Sequence, residues 1–109
     1  MSTANTEIVE EVHVGDIGTI METTIKNDNV PVDISSAITK NILLKNPSGT
    51  LLTRPGVFIT DGTDGGLKYT AIAGDLDESG VWQIQAYIVI STGEWHSDIK
   101  NMSVFPNLT

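Results

Sequence analysis

Apolar residues in this chain recur at every second position in short runs, and Gly, Asn, Asp and Pro separate the runs. Nowhere does a helical period hold for three turns, so the pattern predicts an all-β protein. A first strand is expected over residues 7–14, where Ile8, Glu10, Val12 and Val14 share one parity and Gly15-Asp16 ends the run. Residues 18–26 form a second, with Met21, Thr23 and Ile25 on one face, and Lys26-Asn27-Asp28-Asn29 turns the chain. Pro31 has no N–H to give to a ladder, which assigns Val30-Pro31-Val32-Asp33-Ile34 to an edge or to a crossing between sheets. A third clear strand covers residues 38–45, with Ile42 and Leu44 inward, and stops at Asn46-Pro47-Ser48-Gly49.

In the second half, Leu51-Leu52 opens a short strand that Pro55-Gly56 breaks, and residues 57–60 resume an extended path. Asp61-Gly62-Thr63-Asp64-Gly65-Gly66 is the richest turn signal, and after it Leu67, Tyr69 and Ala71 alternate inward. A polar corner over 74–80, anchored by Leu76, leads into the strongest strand, residues 81–90. Trp82, Ile84, Ala86, Ile88 and Ile90 lie on one of its faces, and Val81, Gln83, Gln85, Tyr87 and Val89 on the other. Ser91-Thr92-Gly93 makes a hairpin loop, and residues 94–105 return as one strand until Pro106 stops further pairing. About seven or eight short strands at this spacing, with Trp82 in the core, are the pattern of an immunoglobulin-like antiparallel β-sandwich.

A length of 109 residues suits one domain, expected over residues 7–109, with 1–6 as an N-terminal arm. The chain has no cysteine, which excludes disulfides, thiol catalysis and Cys-ligated metal. Fourteen acidic and six basic residues give a net charge of -8, the wrong sign for nucleic acid or an anionic membrane surface. No apolar run approaches the roughly 20 residues of a membrane-spanning helix. The N-terminus lacks the basic and apolar regions of a secretion signal, so synthesis in a cytoplasm without export by that route is expected.

Three segments together resemble a known family. Val32-Asp33-Ile34-Ser35-Ser36-Ala37 is similar to its V-D-L-S/T-G-A segment, and Leu44-Lys45-Asn46-Pro47-Ser48-Gly49-Thr50 to its L-K-K-P-D-G-T turn. A third block runs from Asp61-Gly62 through Gly66-Leu67-Lys68-Tyr69 and Ala73-Gly74-Asp75-Leu76-Asp77 to Gly80-Val81-Trp82, and resembles its G-x-L/V-x-Y, A-G-D-L-D and G-x-W/Y pieces. The family is the N-terminal immunoglobulin-like domain of the baseplate upper protein of tailed bacteriophages, with small stand-alone phage proteins of similar pattern. The resemblance covers roughly residues 10 to 105. It implies a non-enzymatic virion structural protein, an assembly module on the tail or baseplate, in symmetric or multiple copies among other virion proteins. Capsid decoration, a head-tail accessory role and a carbohydrate-binding adhesion module on host-surface glycan are the alternatives. The stalk that follows this domain in baseplate upper proteins is not matched by Pro106-Asn107-Leu108-Thr109, so stalk function is not carried over.

Interaction residues are sought in three places. The segment 1–6, with Thr3, Asn5 and Thr6, could lie along a neighbouring subunit or simply extend the first strand. Gln83, Gln85 and Tyr87 lie on a strand face that carries no charge from 81 to 89, suited to burial against a partner or under the protein's own loops. Trp95, just after the hairpin loop, is an interface anchor, a ring for stacking on sugar, or a plug over the end of the sandwich. Asp61, Asp64, Asp75, Asp77 and Glu78 offer oxygens of the kind calcium takes, but without the alternating acidic loop of a dedicated site they read better as turn formers. His13 and His96 sit in no catalytic motif, and no nucleophile elbow or oxyanion pattern accompanies the serines, so neither an enzyme nor a cofactor is expected.

Overall fold

The computed structural model describes residues 11–107 and contains only strands, turns and loops in that range. In chain order the strands are β1 (Val12–His13), β2 (Ile20–Thr24), β3 (Lys26–Asn27), β4 (Val30–Pro31), β5 (Thr39–Lys45), β6 (Leu51–Pro55), β7 (Val57–Phe58), β8 (Gly66–Thr70), β9 (Gly80–Ile90), β10 (Gly93–His96) and β11 (Lys100–Phe105). Four of these, β1, β3, β4 and β7, are two-residue pairings. The seven longer strands include two, β10 and β11, where the periodicity implies one over 94–105, and of the strand expected over 7–14 the described residues contain the two-residue β1.

The large sheet runs β1-β11-β9-β5-β6, with β10 also paired to β9, and the small sheet runs β2-β8-β7. Alternation decides how they face each other. Trp82, Ile84, Ala86 and Ile88 of β9 join Ile42 and Leu44 of β5 and meet Met21, Leu67 and Tyr69 from the small sheet in one buried core. Trp82 is fully buried, and its Nε1 donates to the Glu78 carbonyl at 3.0 Å, so the ring fills the core with no polar group stranded. The turn at Asp28 and Asn29 has φ of 52° and 65°, the two left-handed residues of a tight hairpin, and joins β3 to β4, which places Pro31 in a separate two-stranded ribbon.

Three features differ from the simple strand pattern. First, β1 pairs with β11 in parallel, Val12 beside Val104, so the sandwich is antiparallel except at this edge. Second, Pro55-Gly56 is where the chain leaves one sheet for the other: β6 belongs to the large sheet and β7 to the small one. A Cβ on Gly56 would lie 2.5 Å from a Leu67 methyl, so the crossing chain passes close over the core and a larger residue there would have to displace the Leu67 side chain. Third, residues 94–105 are not one strand. Trp95 lies opposite Ile88, whereas Met102 lies opposite Trp82, a register that fits one extra residue between them. Ser97 makes this bulge: its N–H donates to the Ala86 carbonyl at 3.0 Å, and its Oγ accepts the Ala86 N–H at 2.8 Å in place of a carbonyl.

The two sheets are also joined by a polar clamp. Asp75, 2% exposed, accepts from Arg54 Nε of β6 at 3.0 Å, from the Ile72 N–H at 3.0 Å and from the Tyr69 hydroxyl of β8. Burial pushes this carboxyl up, but the hydrogen bonds from Tyr69, the Ile72 N–H and Arg54 outweigh it, and the net shift is below the ordinary carboxylate range. Burial first, and then the bond to Asp75, raise the Tyr69 hydroxyl.

Candidate functional site

The outer face of the large sheet is built by the odd-numbered residues of β9 and their partners. Lys45, Leu43, Asn41 and Thr39 of β5 lie beside Gln83, Gln85, Tyr87 and Val89. Beyond them in β6 come Leu51, Thr53 and Pro55. On the other side of β9 lie Asn101 and Ser103 of β11 and, past the bulge, Glu94 and His96 of β10. Among these strand positions the fixed charges are Lys45 and Glu94, in a chain of net charge -8. Large apolar side chains stand open beside them: Leu51 is 59% exposed, Val81 55% and Ile99 52%. Leu43, Lys45, Leu51, Gln83, Gln85 and Ile99 line a shallow depression of about 250 Å³.

Several of these side chains are held in place. Gln85 Nε2 donates to the Ser97 carbonyl at 2.9 Å, which fixes it across the bulge. The Tyr87 hydroxyl donates to Glu94 Oε1 at 2.6 Å, and that bond raises its pKa. The Tyr87 ring lies 4.8 Å from His96, centroid to centroid. Ordered side chains of this kind lose little rotamer entropy when a partner covers them.

Gln83, Gln85 and Tyr87 are therefore brought together on one surface. Trp95 is not part of it. It lies opposite Ile88 on the inner side of its strand, half-buried against the core, and its Nε1 is buried without a hydrogen-bond partner. Thr3, Asn5 and Thr6 lie outside the described residues. The sequence reading missed Leu43, Lys45, Leu51, Glu94 and Ile99 as parts of the face. Parity along β5 and β10 carried a signal for Leu43, Lys45 and Glu94, but Ile99 reaches the surface through the bulge, which no periodicity reveals.

The acidic residues have local tasks. Asp61 Oδ1 accepts from the Thr63 N–H at 3.0 Å and from its hydroxyl at 2.7 Å, bonds that lower its pKa, and Asp64 accepts from the Gly66 N–H at 3.0 Å. Glu78 binds Ser48 and Asn46 and pins the 46–50 turn to the corner before β9. Asp75 serves the clamp. Among the described residues, no three His, Asp or Glu side chains converge as metal ligands would. His13 and His96 lie on different strands, each beside an aromatic ring.

These features define a class: an all-β, two-sheet, immunoglobulin-like sandwich whose broadest surface is an almost uncharged sheet face. The family model described as the BppU N-terminal domain, that of the baseplate upper protein, matches residues 3–105, and the chain belongs to this family of bacteriophage baseplate domains. No curated protein matches the chain. The crystal structure of CopC from Methylosinus trichosporium OB3b is similar with a TM-score of 0.52 and 13% identity, over 91% of this chain and 87% of that one. At that identity the likeness concerns the fold alone. Among the described residues there is no helix long and apolar enough to cross a membrane.

Proposed function

We propose that this protein is a non-enzymatic structural part of the bacteriophage virion, an assembly module of the baseplate or tail that works through the outer face of its large sheet. The family supplies the setting. The observation that carries the reading is the concentration of uncharged polar and exposed apolar side chains on that face, where Glu94 is the one acidic residue among the paired strand positions. A surface that gives up water readily is suited to protein contact, since few charges have to be desolvated. Residues 7–109 act as one domain, and residues 1–6, with Thr3, Asn5 and Thr6, add contacts to a neighbouring subunit. Repetition on a symmetric particle calls for several copies.

Electron microscopy of particles made without this protein tests the assignment. Density is expected to vanish from the tail tip. Loss from the head instead would make the protein a capsid component, and particles of unchanged appearance would overturn the assembly role. Particles made with residues 1–6 deleted test the arm, which is wrong if incorporation is undiminished.

A further inference from the structure

We infer that the outer face of the large sheet binds a second copy of this chain, face to face about a twofold axis, with Lys45 of each copy against Glu94 of the other. This deepens the assembly reading by naming the partner of that face, and it rests on that reading for its biological setting. β5 occupies one edge of β9 along residues 83–89, so β10, paired to residues 87–90, occupies the other. Lys45 stands beside Gln83 and Glu94 beside Val89. The two charges are thus six residues apart along β9 and on opposite sides of it, roughly 22 Å from one another at ordinary strand spacings. Within one copy they lie too far apart to pair, beyond the screening length of physiological salt.

The midpoint between them falls on β9 at Ala86, between Gln85 and Tyr87 on the outer face. A twofold axis in the plane of the face, through that point and perpendicular to the line between the two charges, exchanges their positions, so each Lys45 meets a Glu94 and the contact closes as a dimer. No other fixed charge among the paired strand positions of the face opposes the approach. Elsewhere the surface of a chain with net charge -8 repels its own copies. The face is small: β6, β5, β9, β10 and β11 are 5, 7, 11, 4 and 6 residues long and give roughly 500 Å² of sheet, below the ~800 Å² that each partner of a standard complex contributes, so a contact sensitive to its two charge pairs is expected. Leu43, Leu51 and Ile99 supply apolar contact, and the tethered Gln85 and Tyr87 sit at the centre.

Sedimentation of the purified full chain over a concentration series tests this. The wild-type chain is expected to dimerise. Lys45→Glu and Glu94→Lys should each weaken the dimer by about tenfold or more, because each change turns two attractive pairs into two repulsive ones. The combined variant, Lys45→Glu with Glu94→Lys, should recover affinity to within about threefold of the wild type, a rescue that general surface damage does not produce. Both residues are exposed, and circular dichroism verifies that each variant is folded. A wild-type chain that stays monomeric, or a combined variant as weak as the single ones, overturns the dimer. If the monomeric wild type still enters particles, the assembly role stands without the dimer. If the dimer forms but particles assemble without the protein, the assembly role falls and the dimer stands.

Discussion

The two outer faces of this sandwich come from the same alternating pattern and carry opposite chemistry. On the small sheet, Glu22 lies directly across from Lys68, with Ile20 beside Thr70, and the opposed charges face water. On the large sheet, the central rows read Leu43 beside Gln85 and Asn41 beside Tyr87. Two opposed charges are well hydrated, and covering them means desolvating both. An amide or a phenol whose hydrogen bonds are already made within the molecule is far easier to cover. Both faces are solvent-accessible in the single chain, so exposure alone does not separate them. The polarity of the side chains at paired positions does.

The strongest perturbation acts on both faces at once and serves as the reference. Asp75→Ala removes the acceptor shared by Arg54 of the large sheet and Tyr69 of the small one, and should cost about 3 kcal/mol in urea denaturation. The same carboxyl has a pKa lowered in the folded state. Its contribution is therefore fully present above the unfolded value of about 4 and is lost as pH falls through the folded value. The stability difference between wild type and Asp75→Asn should accordingly shrink on acidification below about pH 4, as measured by denaturation midpoints in that range. A difference that is constant with pH would mean that the carboxylate charge does not matter to the clamp.

Ser97→Ala touches the large sheet alone. It leaves the buried Ala86 N–H without its hydroxyl acceptor and should cost about 2 kcal/mol, with amide exchange at Ala86 accelerated and the small sheet unaffected. A matched pair of edge-strand substitutions then separates the faces directly. Leu51 of β6 and Val57 of β7 are 59% and 54% exposed. Leu51→Glu should reduce incorporation into particles by about tenfold with little change in stability, whereas Val57→Glu should leave incorporation unchanged. Equal effects would erase the distinction between the faces. The smallest effect belongs to Lys68→Gln, which removes one of two charges opposed across β2 and β8 and should change stability by no more than about 0.5 kcal/mol in the same denaturation assay.

Much of this was legible in the chain. Trp82, Ile84, Ala86 and Ile88 are an apolar alternation that can be buried only on one side of a strand, and all four are fully buried. Gln83, Gln85 and Tyr87 follow from the same period, because a residue between two inward ones must point outward. The Asp28-Asn29 turn is legible because those two residue types tolerate the left-handed backbone that a tight hairpin demands.

The remainder depends on contacts between residues far apart in sequence. Period two says which way a side chain points relative to its neighbours, but not which strand lies alongside. The parallel pairing of β1 with β11 and the change of sheet at Gly56 were therefore invisible to it. The bulge at Ser97 reverses the parity between β10 and β11, so Trp95 lies inward before it and Ile99 outward after it. Alternation of side chains, a local property of extended backbone, determined the strands and the composition of each face. Only the tertiary structure decided which strands stand side by side, and with that which charges share a face, because strand pairing is settled by long-range hydrogen bonds and core packing.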